Sequence, residues 1–156
     1  MSIADLRREY AKARLDEHDV DHDPLQQFLA WLDEAQHAEV KEPNAMVVAT
    51  AAPDGTPSAR MMLLKGADAS GFVFYTNAES PKGEELSANP KAALVFWWGE
   101  LERQVRVSGS VSRVSDAESD AYFVSRREDS RISAWASRQS CAVNDRDALE
   151  AAWKAA

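Results

Sequence analysis

The chain has 156 residues, of which 45% are hydrophobic and 28% charged, and a chain of this kind can bury its own core. Its formal net charge of −8 argues against non-specific nucleic-acid binding, and no apolar run approaches the about 20 residues of a membrane span. The single Cys141 excludes an internal disulfide, and the opening residues carry no signal pattern, so we expect a cytoplasmic protein.

The first helix is predicted from its cap. Asp23 is a favourable N-cap residue, and Pro24 suits the first helical position. Apolar residues from Leu25 to Leu32 recur at helical spacing, and Pro43 ends the region.

The middle of the chain has the pattern of strands. The predicted strands are Ala45–Thr50, Pro57–Lys65, Gly71–Thr76, Ala92–Trp98 and Leu101–Val114. They do not alternate with long helices, so we expect a mainly β protein with peripheral helices (α+β), built as a small closed or partly closed barrel. The expected division is an N-terminal arm and helix at 1–44 and a barrel domain at 45–156.

Helical signals recur at the edges of this region. Ser80-Pro81 opens a short helix that reaches about Asn89. Ser115 and Glu118 form a capping box for a helix to about Ser125. A helical turn is expected around Ile132–Trp135, and a last helix begins at Asp145.

The common catalytic motifs do not occur in the sequence. There is no GxGxxG, P-loop, HExxH or CxxC pattern. The three histidines lie in the acidic arm or the first helix, which argues against a metal site or a histidine-based nucleophile in the barrel. If the protein is an enzyme, a cofactor is expected to carry the chemistry.

Two groups of basic and hydroxyl residues could bind anions. In the first, Arg60 and Lys65 bracket a strand, and Tyr75-Thr76 precedes a helix with Lys82 in its first turn, which is a plausible phosphate cradle. The alternative is that Arg60 and Lys65 are solvated strand-end charges and Lys82 is a surface residue of an ordinary capped helix.

The second group comprises Tyr122, Arg126 and Ser130. Tyr122 and Arg126 are four residues apart and are expected to share a helix face, while Ser130 follows that helix and could cap the next. Phenol, guanidinium and hydroxyl groups together suit a phosphate. The alternative is a surface helix end with an arginine near its C-terminus.

Seven segments, in this order and with compatible spacing, resemble the pyridoxamine 5'-phosphate oxidase family. They are Leu6–Tyr10, Ala45–Thr50, Arg60–Lys65, Gly71–Asn77, Leu101–Val105, Tyr122–Arg126 and Ser137–Ser140. The resemblance implies a split β-barrel that binds flavin mononucleotide (FMN) at the interface of a homodimer. The adjacent Trp97 and Trp98 point to opposite faces of a strand, so one is expected inside the protein and the other at an interface.

The resemblance also assigns residues to two sites, with no catalytic residue identified. For FMN it implies Arg60 and Lys82 at the phosphate, and further Met61, Met62, Leu63, Leu64, Lys65, Tyr75, Thr76, Gln104, Gln139 and Ser140. For the substrate it implies Lys65, Tyr122, Arg126 and Ser130 at the phosphate, with Arg7 and Tyr10 closing over the substrate.

The chain departs from the family pattern at two places. Pro81 stands where family members often have a basic residue, so one contact to the flavin phosphate is expected to be missing. The family's Trp-Gly-Gly and Arg-x-His motifs, expected after the helix that begins at Asp145, do not occur, and the substrate ring is expected to be poorly held.

The implied function is oxidation of pyridoxamine or pyridoxine 5'-phosphate to pyridoxal 5'-phosphate, with O2 as acceptor and H2O2 as product. The alternatives are a non-catalytic binding protein for FMN or pyridoxal phosphate, and a split-barrel reductase with another flavin-like cofactor. Neither nucleic acid nor membrane is an expected partner.

Overall fold

The structure is a computed structural model that describes residues 2–6 and 15–156. In these ranges five α-helices and six strands occur in chain order. The helices are α1 (Pro24–His37), α2 (Pro81–Ala88), α3 (Asp116–Ser125), α4 (Glu128–Ala136) and α5 (Arg146–Ala155). The strands are β1 (Ala45–Ala51), β2 (Pro57–Leu63), β3 (Gly66–Asp68), β4 (Gly71–Val73), β5 (Lys91–Trp98) and β6 (Arg103–Ser110).

The strands form two antiparallel sheets. The larger sheet has the order β2-β1-β5-β6, and β3 pairs with β4 through Gly66–Val73, Ala67–Phe72 and Asp68–Gly71. The predicted strand to Lys65 ends at Leu63, and the predicted strand Gly71–Thr76 ends at Val73. Sequence analysis did not predict β3.

Predicted helix caps agree with the structure at the starts of α1, α2 and α3, and the last helix begins at the predicted place. The carboxylate of Asp23 accepts from the Leu25 N–H at the start of α1, and Ser80 accepts from the Gly83 N–H at the start of α2. Ser115 and Asp145 cap α3 and α5 in the same way. The turn predicted around Ile132–Trp135 is the longer helix α4.

The chain divides into two compact units, each built from three chain segments. The first comprises Met1–Val47, Met61–Phe74 and Leu94–Val107, and the second comprises Val48–Arg60, Tyr75–Ala93 and Ser108–Ala156. The expected boundary at residue 44 is a different division and remains a prediction.

The described core of the first unit is an aromatic cluster around Phe28 of α1. The Phe28 ring centroid lies 4.9 Å from those of Phe72 and Phe96 and 6.1 Å from that of Trp98. The indole N–H of Trp98 donates to the Pro43 carbonyl at 2.8 Å, so this polar atom is satisfied although the residue is only 1% exposed. Trp97, its neighbour, is 52% exposed, as the alternation of a strand requires.

The buried interior of the second unit includes polar side chains. Thr50 is 3% exposed, Ser80 is fully buried and Lys82 is 5% exposed. Buried lysines are rare and need partners, so these polar residues indicate a candidate functional site.

Candidate functional site

Lys82 is a buried cation at the start of α2. Its ammonium donates to the Ser80 hydroxyl at 3.3 Å, and that hydroxyl also accepts from the Gly83 N–H and donates to the Asn77 carbonyl at 2.6 Å. Ser80 and Pro81 begin the helix because one caps it and the other suits its first position. The alternative of a surface lysine is therefore wrong.

Gln139 joins two of the predicted site residues, although it is far from both in sequence. Its side-chain oxygen accepts from the Lys82 ammonium at 2.7 Å and from the Thr76 hydroxyl at 3.1 Å. The next residue, Ser140, has a φ of 62°, in a turn over residues 138–141 closed by a backbone hydrogen bond. This turn follows α4 and carries the Gln139 amide to the first turn of α2.

Arg60 is the second cation of the cluster, and protein oxygens hold its guanidinium. Nη1 donates to the Val48 carbonyl at 3.2 Å and to the Thr50 hydroxyl at 2.6 Å. Nη2 donates to the Ser58 hydroxyl at 2.5 Å and lies 3.4 Å from a carboxylate oxygen of Glu85. The alternative of a solvated strand-end charge is therefore wrong for Arg60.

The titration behaviour of the cluster reflects its charges. Burial lowers the pKa of Lys82, the nearby Arg60 lowers it further, and Glu85 opposes the shift. The pKa of Glu85 is lowered by hydrogen bonds from Ser58 and Thr50 and by Arg60. Glu85 pairs with Arg60 and acts on Lys82 only at longer range, so an anion bound beside Lys82 would relieve the cost of burying its charge.

Among the residues that the structure describes, no carboxylate lies within ion-pair distance of the Lys82 ammonium. Its hydrogen-bond acceptors among the described residues are the neutral oxygens of Ser80 and Gln139. A buried ammonium with two neutral acceptors, at a helix N-terminus and beside an arginine, suits a phosphate group.

Gly83 allows α2 to approach the preceding chain closely. A Cβ at this position would lie 2.2 Å from the Ala78 carbonyl oxygen and 2.6 Å from its carbon. No side chain fits there unless the backbone that carries Lys82 moves.

We expect Gly83→Ala to lower the free energy of unfolding by about 1–3 kcal/mol, because the clash outweighs the better helix propensity of alanine. Gly109→Ala is the control, since a Cβ there meets nothing within 4 Å. Urea denaturation of both variants checks the prediction, which equal transition midpoints would contradict.

Tyr75 and Tyr122 form a stacked pair, with ring centroids 3.7 Å apart and planes 6° apart. The Tyr75 hydroxyl donates to the Glu118 carboxylate at 3.1 Å. Burial and this acceptor raise the pKa of Tyr75. Glu118 was predicted to complete a capping box with Ser115, but its described side-chain bond is to Tyr75, while its N–H donates to the Ser115 hydroxyl.

Two geometric predictions for the second anion group are wrong. α3 ends at Ser125, and Arg126 has extended backbone at its C-cap, so Arg126 and Tyr122 do not share a helix face. Ser130 lies inside α4 and Arg127 is that helix's N-cap residue, so Ser130 does not cap the helix. The Arg126 guanidinium lies 5.9 Å from the Phe123 ring centroid.

The remaining predicted cofactor residues belong to the first unit. Met61 and Leu63 are exposed on β2, Met62 is half-buried and Leu64 is buried. The N–H of Lys65 donates to the Val73 carbonyl at 2.8 Å, and Gln104 is exposed on β6. Arg7 and Tyr10 lie outside the described residues.

Sequence reasoning missed Thr50, Ser58 and Glu85, which surround Arg60. Thr50 was assigned to an apolar strand and Ser58 to a strand without a role. Glu85 follows Lys82 by three residues in a predicted helix. Residues at this spacing are neighbours on a helix, so the sequence could have indicated that Glu85 lies near the predicted cation site.

None of the helices in the described ranges 2–6 and 15–156 combines the length and the apolar composition that a membrane span requires. In the same ranges, no group of three or more histidine, cysteine, aspartate or glutamate side chains could hold a metal ion.

Curated relatives give a consistent result. Proteins named pyridoxine/pyridoxamine 5'-phosphate oxidase from Ralstonia pickettii and Trichormus variabilis are 61% and 56% identical to this chain over 150 and 149 residues. Each match covers 96% of this chain, which spans 71% and 70% of their respective lengths.

Solved structures show the fold. PhzG from Burkholderia lata 383, in complex with tetrahydrophenazine-1-carboxylic acid, superposes with a TM-score of 0.87 at 31% identity, over 92% of this chain and 72% of that one. A pyridoxamine 5'-phosphate oxidase-related, FMN-binding protein from Nostoc punctiforme has a TM-score of 0.64 at 18% identity over 84% of this chain and 73% of its own, a likeness of fold alone.

The family profile for pyridoxamine 5'-phosphate oxidase matches residues 32–156, most of the chain. The expected fold class is confirmed. The chain therefore belongs to the pyridoxamine 5'-phosphate oxidase family, a family of oxidoreductases with an α+β, split-barrel fold.

Proposed function

We propose that this chain is an FMN-dependent oxidase that converts pyridoxine 5'-phosphate and O2 to pyridoxal 5'-phosphate and H2O2. With pyridoxamine 5'-phosphate the same oxidation also consumes one water and releases ammonia. Family membership and the names of the curated relatives support the substrate class. The observation that carries the cofactor assignment is the buried Lys82 ammonium, which lies beside Arg60 and whose hydrogen-bond acceptors among the described residues are both neutral.

The described residues fit the phosphate of FMN. In this proposal Arg60 and Lys82 neutralise the phosphate at the N-terminus of α2, which adds the positive end of the helix dipole. Gln139 keeps Lys82 in place, and Thr76 fixes the Gln139 amide. The proposed lining of the remaining flavin comprises Met61, Met62, Leu63, Leu64, Lys65, Tyr75, Gln104 and Ser140.

The substrate phosphate is assigned to Lys65, Tyr122, Arg126 and Ser130, and Arg7 and Tyr10 are proposed to close over the substrate. When bound, the flavin supplies the redox chemistry by accepting two electrons from the substrate and passing them to O2. The chain's own contribution is to orient both phosphate-bearing molecules, so no catalytic residue is assigned.

Absorption spectroscopy of the purified protein with added FMN tests the cofactor, and peroxide release with pyridoxine 5'-phosphate tests the reaction. Bound flavin and peroxide release are expected. Flavin binding without turnover would favour the alternative of a non-catalytic binding protein, and absence of flavin binding would contradict the proposal.

Lys82→Met is expected to raise the melting temperature of the flavin-free protein and to weaken FMN binding. The substitution removes a buried charge, while Ser80 and Gln139 keep other hydrogen-bond partners. The folded-state pKa of Lys82 lies below the ordinary value of 10.5, so the unfolded chain binds the proton more tightly. The unfolding free energy should therefore rise with pH between the lowered pKa and 10.5, and Lys82→Met should remove this rise.

Thermal denaturation from pH 7 to pH 10.5 and FMN titration check this prediction. Lys91→Met is the control, because it makes the same change at an exposed lysine on β5. Lower stability of flavin-free Lys82→Met than of the Lys91→Met control would contradict the argument.

A homodimer is part of the proposal. In the first unit, Met61, Leu63 and Trp97 are large apolar residues exposed on β2 and β5, a surface that suits a second copy of the chain. We expect Trp97→Glu to lower the mass measured by light scattering at micromolar concentration from that of a dimer to that of a monomer. Trp153→Glu, at an exposed residue of α5, is the control. A monomeric unsubstituted protein with FMN added would contradict the dimer.

A cytoplasmic location belongs to the same proposal, and its support is the single cysteine and the absence of a disulfide framework in these 156 residues.

A further inference from the structure

Two hydroxyl groups connect the Arg60 guanidinium to one carboxylate oxygen. Nη1 donates to the Thr50 hydroxyl and Nη2 to the Ser58 hydroxyl, at 2.6 and 2.5 Å. Both hydroxyls then donate to the same Oε2 of Glu85, Ser58 at 2.6 Å. The four side chains come from β1, β2 and α2 and form a closed network.

The network is shielded from solvent. Thr50 is 3% exposed, and the side chains of Arg60 and Glu85 are 22% and 17% exposed. Water has little access to replace a lost Thr50 hydroxyl, so each hydrogen bond in the network constrains the guanidinium strongly.

The network uses one end of the guanidinium. An arginine has five N–H donors, and the hydrogen bonds of Arg60 to described residues use Nη1 and Nη2 but not Nε. The Nε edge is therefore the part of the side chain available to a phosphate. The direction in which the Nε–H points depends on the residues that hold Nη1 and Nη2.

We propose that Thr50, Ser58 and Glu85 are positioning residues that fix the Arg60 guanidinium and so give the site its preference for a phosphorylated over an unphosphorylated flavin. The proposal rests on the proposed function, because it concerns the same phosphate group. A side chain that is already held in its binding orientation binds a phosphate more tightly, because it loses less orientational freedom on binding.

Thr50→Val and Ser58→Ala test the proposal without changing any charge. Dissociation constants for FMN and riboflavin are measured by quenching of flavin fluorescence. We expect each variant to weaken FMN about tenfold, the effect of losing one hydrogen bond to a charged group, with riboflavin affinity unchanged. A merely structural role would weaken both flavins equally, because they share the ring system.

Thr56→Val is the control for Thr50→Val, since it makes the same change at an exposed position before β2. Glu85→Gln keeps an oxygen that can accept from both hydroxyls, so it should preserve more of the FMN preference than Glu85→Leu. In an Arg60→Ala background, Thr50→Val should cause no further loss of preference, because its effect acts through Arg60.

The outcomes separate the two proposals. If Arg60→Ala weakens FMN and riboflavin equally, the phosphate site itself is wrong. If Arg60→Ala lowers the preference for FMN but Thr50→Val and Ser58→Ala leave it unchanged, the positioning role alone is overturned. Ser58→Ala, at a less buried position, decides the matter if Thr50→Val does not fold.

Discussion

Arg60→Ala is expected to raise the dissociation constant for FMN about a hundredfold or more and to leave riboflavin binding nearly unchanged. The charge-assisted hydrogen bond from Nε of Arg60 to a phosphate contributes about 1.5–3 kcal/mol, which is roughly ten- to a hundredfold in affinity. The substitution also leaves Glu85 without its cation, and this carboxylate would then repel the phosphate. Riboflavin has no phosphate, so neither effect applies to it.

Arg103→Ala is the matched control for Arg60→Ala. Arg103 is about as exposed as Arg60, is also paired with a glutamate of a helix, Glu34 of α1, and lies in the other unit. Its loss should lower stability without changing the ratio of the two flavin affinities. Arg60→Lys should give an intermediate result, because lysine keeps the charge but loses the planar fork. Equal losses for FMN and riboflavin in Arg60→Ala would remove the phosphate role.

Helix starts could be predicted from the sequence because a cap is a local interaction. Asp23 with Pro24, and Ser80 with Pro81, each combine a capping side chain with a residue of suitable φ, and both helices begin where predicted. The family could also be predicted from short local segments. Each segment alone is weak evidence for the family, but seven of them in a fixed order with compatible spacing are strong evidence. The fold class followed from both.

Strand ends and interrupted helices could not be predicted in the same way. β2 stops at Leu63 because the chain then pairs elsewhere, with Lys65 donating to Val73. The predicted strand Leu101–Val114 begins later, at Arg103, because a 3₁₀-helix, Gly99–Leu101, precedes it, followed by Glu102 with a φ of 53°. These features depend on tertiary partners, which period-two alternation does not specify.

The same limit applies to the site. Arg60, Thr76, Lys82 and Gln139 were predicted from the family resemblance, and the structure brings the last three together through hydrogen bonds. The residues around Arg60 belong to no motif, and a threonine in an apolar strand is interpreted as part of the core. The hydrogen-bond network around Arg60 forms only where β1, β2 and α2 meet, so only the structure could show it.

Arg126→Ala is expected to raise the dissociation constant for pyridoxal 5'-phosphate, and the KM for pyridoxine 5'-phosphate, about a hundredfold. Among the described residues no carboxylate lies within ion-pair distance of the Arg126 guanidinium, whose described neighbour is the Phe123 ring. It can therefore donate two hydrogen bonds to a phosphate without first breaking an ion pair, and bidentate pairs of this kind are strong. FMN affinity should not change, because the flavin phosphate is assigned to Arg60 and Lys82.

Arg127→Ala is the control, because it removes the neighbouring arginine, which is 87% exposed and pairs with Asp129 at 3.6 Å. It should leave both constants close to those of the unsubstituted protein, since exposed ion pairs contribute little. Equilibrium dialysis with pyridoxal 5'-phosphate and with unphosphorylated pyridoxal separates the phosphate contact from contacts to the ring. Loss of a phosphate contact weakens the first ligand alone. If Arg126→Ala weakens both ligands equally, or if Arg127→Ala has the larger effect, Arg126 does not bind the substrate phosphate.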